Sequence, residues 1–168
     1  PLFQDEEGGE HELACTAPAG QASVEGAFAI QSDGSIINWN GAVRFTQPVD
    51  GIHHPASIRE LASLIRDASK VRLVGAGHSM NASLAAEGSA TLIQTTRLKQ
   101  IDPVVASADG AGTVWIDAGA TLGDIAAALN RQGYALECMP SSEKITIGGA
   151  INGVHGSSLK HPATLSEQ

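Results

Sequence analysis

The chain has 168 residues, of which 42% are apolar, 4% aromatic and 19 in number glycine. That is about one domain with apolar mass enough for a core, and its balance suits an α/β protein with many tight turns better than a long helical bundle. A net charge of −8, an isoelectric point of about 5.1 and no run of Lys or Arg argue against a nucleic-acid surface, and no apolar run approaches the ~20 residues of a membrane-spanning helix.

Residues 1–27 read as a polar N-terminal arm. Asp5, Glu6, Glu7, Gly8, Gly9 and Glu10 set its acidic, glycine-rich character, and no helical or strand period runs through it. The first residue is Pro1 rather than Met, so upstream material is expected to have been removed, which is compatible with a secreted or periplasmic origin without fixing the compartment. Residues 28–168 read as one domain. Ile36, Ile37 and Trp39 are expected to anchor the arm to the core, and Pro48, Gly51 and Pro55 interrupt regular structure after them.

Ser57-Ile58-Arg59-Glu60 has the form of a capping box, followed by Ile58, Leu61, Ala62, Leu64, Ile65 and Ala68 at helical spacing. Val71–Val74 reads as a short buried strand running into Gly75-Ala76-Gly77-His78-Ser79, and 90–94 as a second strand. Residues 101–106 and 113–117 flank Asp109-Gly110, a strong hairpin signal. Thr121 to Asp124 is a second box-like helix start. Leu122, Ile125, Ala126 and Leu129 form the apolar face, and Gly133 stands where a left-handed C-terminal cap belongs. Tyr134–Glu137 reads as a strand, and a glycine-dense loop follows with Gly148, Gly149, Gly153 and Gly156. Cys15 and Cys138 are too few and too far apart for a disulfide framework; two unpaired thiols are expected, Cys138 within a strand, with a single bridge as the alternative. The order of elements is α/β or α+β.

Two segments carry chemistry. The first is Gly75-Ala76-Gly77-His78-Ser79-Met80-Asn81, directly after a strand. Its glycines let successive backbone N–H groups converge on an anion. It is not a dinucleotide fingerprint of the G-x-G-x-x-G kind, because Met80 stands at the third glycine and Gln94-Thr95-Thr96 replace the acidic residue about 20 positions on. It is not a P-loop either, for want of Gly-Lys-Ser/Thr. The second segment runs from Thr146 through Gly148, Gly149, Asn152, Gly153, Val154, His155 and Gly156 to Ser157. Each alone reads more readily as a glycine turn with a satisfied histidine; two such segments in one domain point to a shared ligand.

The ordered series resembles the vanillyl-alcohol-oxidase type of flavoprotein, the family with the PCMH-type FAD-binding domain. The elements that carry the resemblance are Pro55 with the helix from Ser57, Val71 to Ser79 ending in Gly-His-Ser, and Thr113 to Gly119 with Ala118-Gly119-Ala120. They continue with the helix Leu122 to Leu129 closed by Gly133, and with Thr146 to Ser157. Among its members the pattern is nearest to the aldonolactone and alditol oxidases and the class II cholesterol oxidases.

The resemblance implies an α+β fold, a PCMH-type FAD-binding domain of two small α/β subdomains, truncated before the substrate domain. It implies that Gly75, Ala76, Gly77, His78, Ser79 and Met80 wrap the pyrophosphate and ribityl part of FAD. Ser142, Thr146, Gly148, Gly149, Asn152, Gly153, Val154, His155 and Gly156 would line the other side of the cofactor. His78 falls where some relatives attach the flavin covalently. The catalytic residues are expected on the substrate domain, outside this chain, and a second polypeptide carrying that domain is expected as a partner.

The activity implied is oxidation of a CH–OH group of a small-molecule alcohol, sugar lactone, alditol or sterol by hydride transfer to flavin N5, with oxygen as acceptor. The alternative is a degenerate, non-catalytic nucleotide-binding module. A metal site built from His53, His54, His78, His155 and His161 fits no common ligand spacing; His53-His54 reads as a loop pair. Asp117 at a strand end and Asp124 in a first helical turn are given structural roles. Trp39 and Trp115 read as core or interface aromatics rather than stacking platforms.

Overall fold

A computed structural model describes residues 22–23, 29–46, 48, 50–79 and 90–153. The described residues open with short antiparallel strands, β1 (Ala22–Ser23), β2 (Ala29–Ile30), β3 (Ser35–Ile37) and β4 (Arg44–Thr46), ordered β1-β2-β3-β4. Two residues of the arm read over 1–27 thus pair with the domain, Ala22 opposite Ile30 and Ser23 opposite Ala29; the rest of that arm lies outside the described residues. Ile36 on β3 is wholly buried, as an anchor should be.

The next layer is a parallel sheet of β5 (Ile52–His53), β7 (Thr91–Gln94) and β6 (Val71–Val74), with β7 in the middle. His53 therefore closes a strand, opposite Ile93, instead of sitting in a loop. Between β5 and β6 runs α1 (Ile58–Asp67). Its capping box forms with one change of partner. The Ser57 hydroxyl accepts from the Glu60 amide at 3.2 Å, while the Glu60 carboxylate accepts from the Ala56 amide at 2.7 Å, one residue before the cap. Ile36, Val74, Ala90 and Leu92 form one core, so β3, β6 and β7 share it.

The second half is built around α2 (Leu122–Asn130). Thr121 Oγ1 accepts from the Asp124 amide, and Gly133 adopts φ +82° with the Tyr134 amide bonded back to Leu129 O. These are the start and stop signals read from the sequence, and such a cap is worth about 1 kcal/mol. Leu122, Ile125, Ala128 and Leu129 are buried, with Ala126 only partly so. The hairpin forms as β8 (Val105–Ala106) and β9 (Gly112–Thr113) around Gly110 at φ +87°, with Ile101 bridged to Ile116 at its base.

Several expectations fail here. Tyr134–Glu137 is not a strand. Tyr134 and Leu136 pack on the α2 core as alternation demands, but the Tyr134 amide is committed to the helix cap and no described strand pairs with the segment. The glycine-dense segment is not all loop: Ile147–Asn152 is a short helix, α3. Its first amides are tied down, Ile147 to Ala120 O at 2.8 Å and Gly148 to Ala118 O at 3.0 Å, and the wholly buried Ala150 holds it on the α2 core. Cys138 is buried but in no strand, and Cys15 is outside the described residues. Neither tryptophan is a core residue: Trp39 is 43% and Trp115 84% exposed.

Gly119 joins the halves. A Cβ there would stand 1.8 Å from the Thr95 carbonyl oxygen just beyond β7, and the Gly119 amide donates to Leu98 O at 2.8 Å. Backbone cannot retreat as a side chain can. Gly119→Ala is therefore expected to lower stability by more than about 3 kcal/mol in urea unfolding. Gly34→Ala, at φ +77° in open space, should cost only the left-handed penalty of ~1–2 kcal/mol.

Candidate functional site

The site lies where β6 and β7 end. Beyond Val74 the chain turns through Gly75, Ala76 and Gly77, and the two glycines serve different needs. Gly77 takes φ +75°, which a Cβ would oppose. Gly75 makes room: a Cβ there would fall 1.9 Å from Thr146 Oγ1. The first glycine segment therefore meets the second. Gly148 continues the contact, since its Cβ would lie 2.9 Å from both the carbonyl oxygen and the Cβ of Ala118. Three stretches, 75–79, 118–120 and 146–149, thus converge on the end of the parallel sheet.

Polar groups with nothing to bond collect there. Thr146 Oγ1, Gln94 Oε1 and Thr96 Oγ1 are buried without a hydrogen-bond partner, as is His78 Nδ1. Gln94 is wholly buried at the end of β7, and its Nε2 donates to Gly75 O at 3.0 Å. Thr146 holds the N-cap position of α3 yet its side chain makes no cap bond. The amides of Ala76, Gly77 and His78 donate to no group among the described residues. An unsatisfied buried polar group costs ~1–3 kcal/mol. Several together at the ends of parallel strands, beside a glycine turn, describe a ligand cradle with amide donors for an anion and side-chain oxygens around it.

His78 is half-buried and held on one side. The Trp39 ring stacks on it at 5.7 Å between centroids and 30° between planes. Burial holds its pKa below the ordinary 6.5, the Lys144 ammonium adds to the effect, and the Ala76 carbonyl opposes both. Nδ1 nonetheless makes no bond of hydrogen-bond geometry, so that opposition is weak. The ring is neutral near pH 7, the form with a free lone pair.

Of the residues read from the sequence, Gly75, Ala76, Gly77, His78, Thr146, Gly148 and Gly149 are brought together. Ser79 joins them through its carbonyl, held by the Asn38 side-chain amide at 2.9 Å. Asn152 turns its amide back to Gly148 O and Gly153 closes α3, both exposed. Ser142 is half-buried in the approach to α3. Met80, Val154, His155 and Gly156 lie outside the described residues. Sequence reasoning missed Asn38, Trp39, Gln94 and Thr96. Only Gln94 left a signal, as a polar residue closing the apolar run Leu92-Ile93. Asp117 and Asp124 keep structural roles, accepting from the Gln100 amide and the Thr121 hydroxyl. Among the described residues no three His, Cys, Asp or Glu side chains group as for a metal ion, and no helix is long and apolar enough to cross a membrane.

A wider cleft of about 730 Å³ opens between the hairpin, the end of α2 and α3, lined by Val104, Val114, Trp115, Tyr134, Leu136 and Ile147 among others. Its wall is mostly apolar and touches the cradle at Ala118, Ile147 and Gly148. None of the orphaned polar atoms lines it, so the cradle is the better candidate for recognising a polar ligand.

Residues 49–167 match the FAD binding domain family, and the chain belongs to that family. Solved structures agree on the fold. A solvent-stable cholesterol oxidase is 24% identical with a TM-score of 0.56, over 73% of this chain and 24% of its own. Cholesterol oxidase from B. sterolicum is 18% identical with a TM-score of 0.58, over 77% and 26%. GilR, an oxidoreductase that catalyses the terminal step of gilvocarcin biosynthesis, is 24% identical with a TM-score of 0.52, over 67% and 23%. The chain thus spans about a quarter of the length of these enzymes, the FAD-binding portion, and the fold is the α+β, PCMH-type FAD-binding domain.

The cradle fits such a cofactor: orphan amides suit its phosphates, and orphan oxygens suit its hydroxyl and N–H groups. The depressed pKa of His78 also has a sign. Between its folded value and 6.5 the unfolded chain binds the extra proton, so stability should fall as pH drops through this window and level off below it. His78→Gln should flatten that slope, as read from urea midpoints at pH 5 to 7.5.

Proposed function

We propose that this chain is the cofactor-holding portion of an FAD-dependent oxidoreductase that oxidises a CH–OH group of a small molecule, with oxygen as acceptor. The reading is carried by one observation, the cluster of buried, unpartnered polar atoms where Gly75–His78 meets Thr146. In it, the amides of Ala76 to His78 receive the pyrophosphate. Thr146, Gly148 and Gly149 close over it from α3, and Thr96 and Gln94 accept or donate from the sheet end. Bound FAD supplies a two-electron acceptor for hydride from the CH–OH carbon.

Met80, Ser142, Asn152, Gly153, Val154, His155 and Gly156 are assigned to the outer cofactor contacts on the resemblance alone. The substrate classes the reading favours are a sterol, an alditol or a sugar lactone. The first is supported by the names of two of the similar structures. The groups that choose the substrate and remove its proton belong to a substrate domain outside these residues, in the same chain or as a partner. The exposed apolar side chains of Ile58, Ile65 and Trp115 support such a covering partner.

His78 is proposed as the covalent attachment residue. A neutral imidazole is nucleophilic, and this one is held neutral and unbonded at Nδ1. Acid denaturation followed by intact mass should show the chain plus one FAD, with the increment on the peptide that holds His78. His78→Ala should bind FAD that is released on denaturation. A bare mass with yellow supernatant from the unsubstituted chain removes only the covalent role. A bare mass with no flavin anywhere replaces the whole reading with that of a degenerate binding module.

A further inference from the structure

Trp39 and His78 are 39 residues apart in sequence and touch twice. The indole ring stacks on the imidazole at 5.7 Å, and indole Nε1 donates to the carbonyl oxygen of His78 at 3.0 Å. Next to it, Asn38 donates to the Ser79 carbonyl at 2.9 Å. The hairpin that presents the pair is itself well fixed. Asn38 is buried and bonds Val43 in both directions, through its amide at 3.0 Å and its side-chain oxygen at 2.9 Å. Gly41 turns at φ +74° and donates to Asn38 O. Ile36, three residues before Trp39, shares a core with Val74, four residues before His78. The β3–β4 turn and the glycine loop thus hang from one core and grip each other at their tips.

The grip has a directional consequence. In a trans peptide the carbonyl and the following N–H point in opposite directions. Drawing the His78 carbonyl to Trp39 turns the amide of Ser79 away from the hairpin, and the stack fixes the ring of the same residue.

We propose that Trp39 is a positioning residue for His78, setting both the ring face and the peptide plane of the loop that holds FAD. This rests on the proposed FAD reading, but part of its test does not need flavin.

The first measurement is a pH titration of the His78 ring protons by NMR on the flavin-free chain. The midpoint should lie below 6.5 in the unsubstituted chain. In Trp39→Ala it should move up toward 6.5 as the ring gains water, but not reach it, because Lys144 remains, the charged group whose field acts on the ring. In Trp39→Phe, which keeps a ring face and loses the N–H, the midpoint should stay low. The second measurement is FAD affinity, expected to weaken about tenfold in Trp39→Ala, equivalent to 1.4 kcal/mol, and about threefold in Trp39→Phe.

An unmoved His78 midpoint in folded Trp39→Ala overturns the proposal. If Trp39→Ala does not fold, Trp39→Phe decides, and FAD affinity equal to that of the unsubstituted chain overturns it. If the unsubstituted chain takes up no FAD, the FAD reading fails, and the midpoint alone then judges whether Trp39 sets the state of His78.

Discussion

The structure depends on how closely Gly119 approaches the Thr95 carbonyl. No side chain fits between them, so the stretch 118–120 lies against the backbone that leaves β7. Everything C-terminal takes its place from there. Ala118 and Ala120 accept the first two amides of α3, and α3 then carries Thr146 over Gly75. Three glycines, each needed for lack of a Cβ rather than for suppleness, transmit the position of the parallel sheet to the second glycine segment. The core around Val74 and Leu92 fixes one side and the core around Leu122 and Ile125 the other. The cradle is the seam between the two.

That seam explains why the unsatisfied atoms are where they are. Within each half, the caps of α1 and α2 engage the polar side chains of Ser57, Glu60, Thr121 and Asp124. At the seam, Thr146 stands at a helix start and does not cap it, and Gln94 uses its nitrogen but not its oxygen. Hydrogen bonds withheld from the fold are available to a ligand. A protein tolerates such groups where binding satisfies them, and elsewhere they would be selected out for the stability they forfeit.

Local signals were readable in the sequence because they are local. Ser57 and Glu60, Thr121 and Asp124, Asp109-Gly110 and Gly133 each act over two to five residues, and each is found as read, save that Glu60 reaches Ala56 rather than Ser57. Tyr134–Glu137 has the alternation of a strand, but alternation reports which side chains are buried and not whether a backbone partner exists. Gly148-Gly149 looked like loop because glycine is a poor helix former. Here the gain from packing against Ala118 outweighs a propensity cost of ~1 kcal/mol per glycine. The meeting of the two glycine segments was hinted at by their occurring twice in one domain, and the family resemblance gave it a ligand. The roles of Asn38 and Trp39 were not legible at all: nothing in a hairpin turn announces which loop some 40 residues later will lie against it. His53 was misread for a similar reason, since its strand exists only through a neighbour about 40 residues downstream.

Gly75 and Thr146 stand 71 positions apart (146 − 75), and this separation bears on the order in which the chain assembles. Closing a loop of that length costs conformational entropy that nearby contacts do not face. The hairpin, α2 and its caps can form early from short-range encounters, while the seam must wait until both cores exist. Competence to hold the cofactor is therefore the last property the chain acquires. A ligand that binds only the finished seam draws the two halves together by mass action, which makes such a ligand a late structural member of the protein.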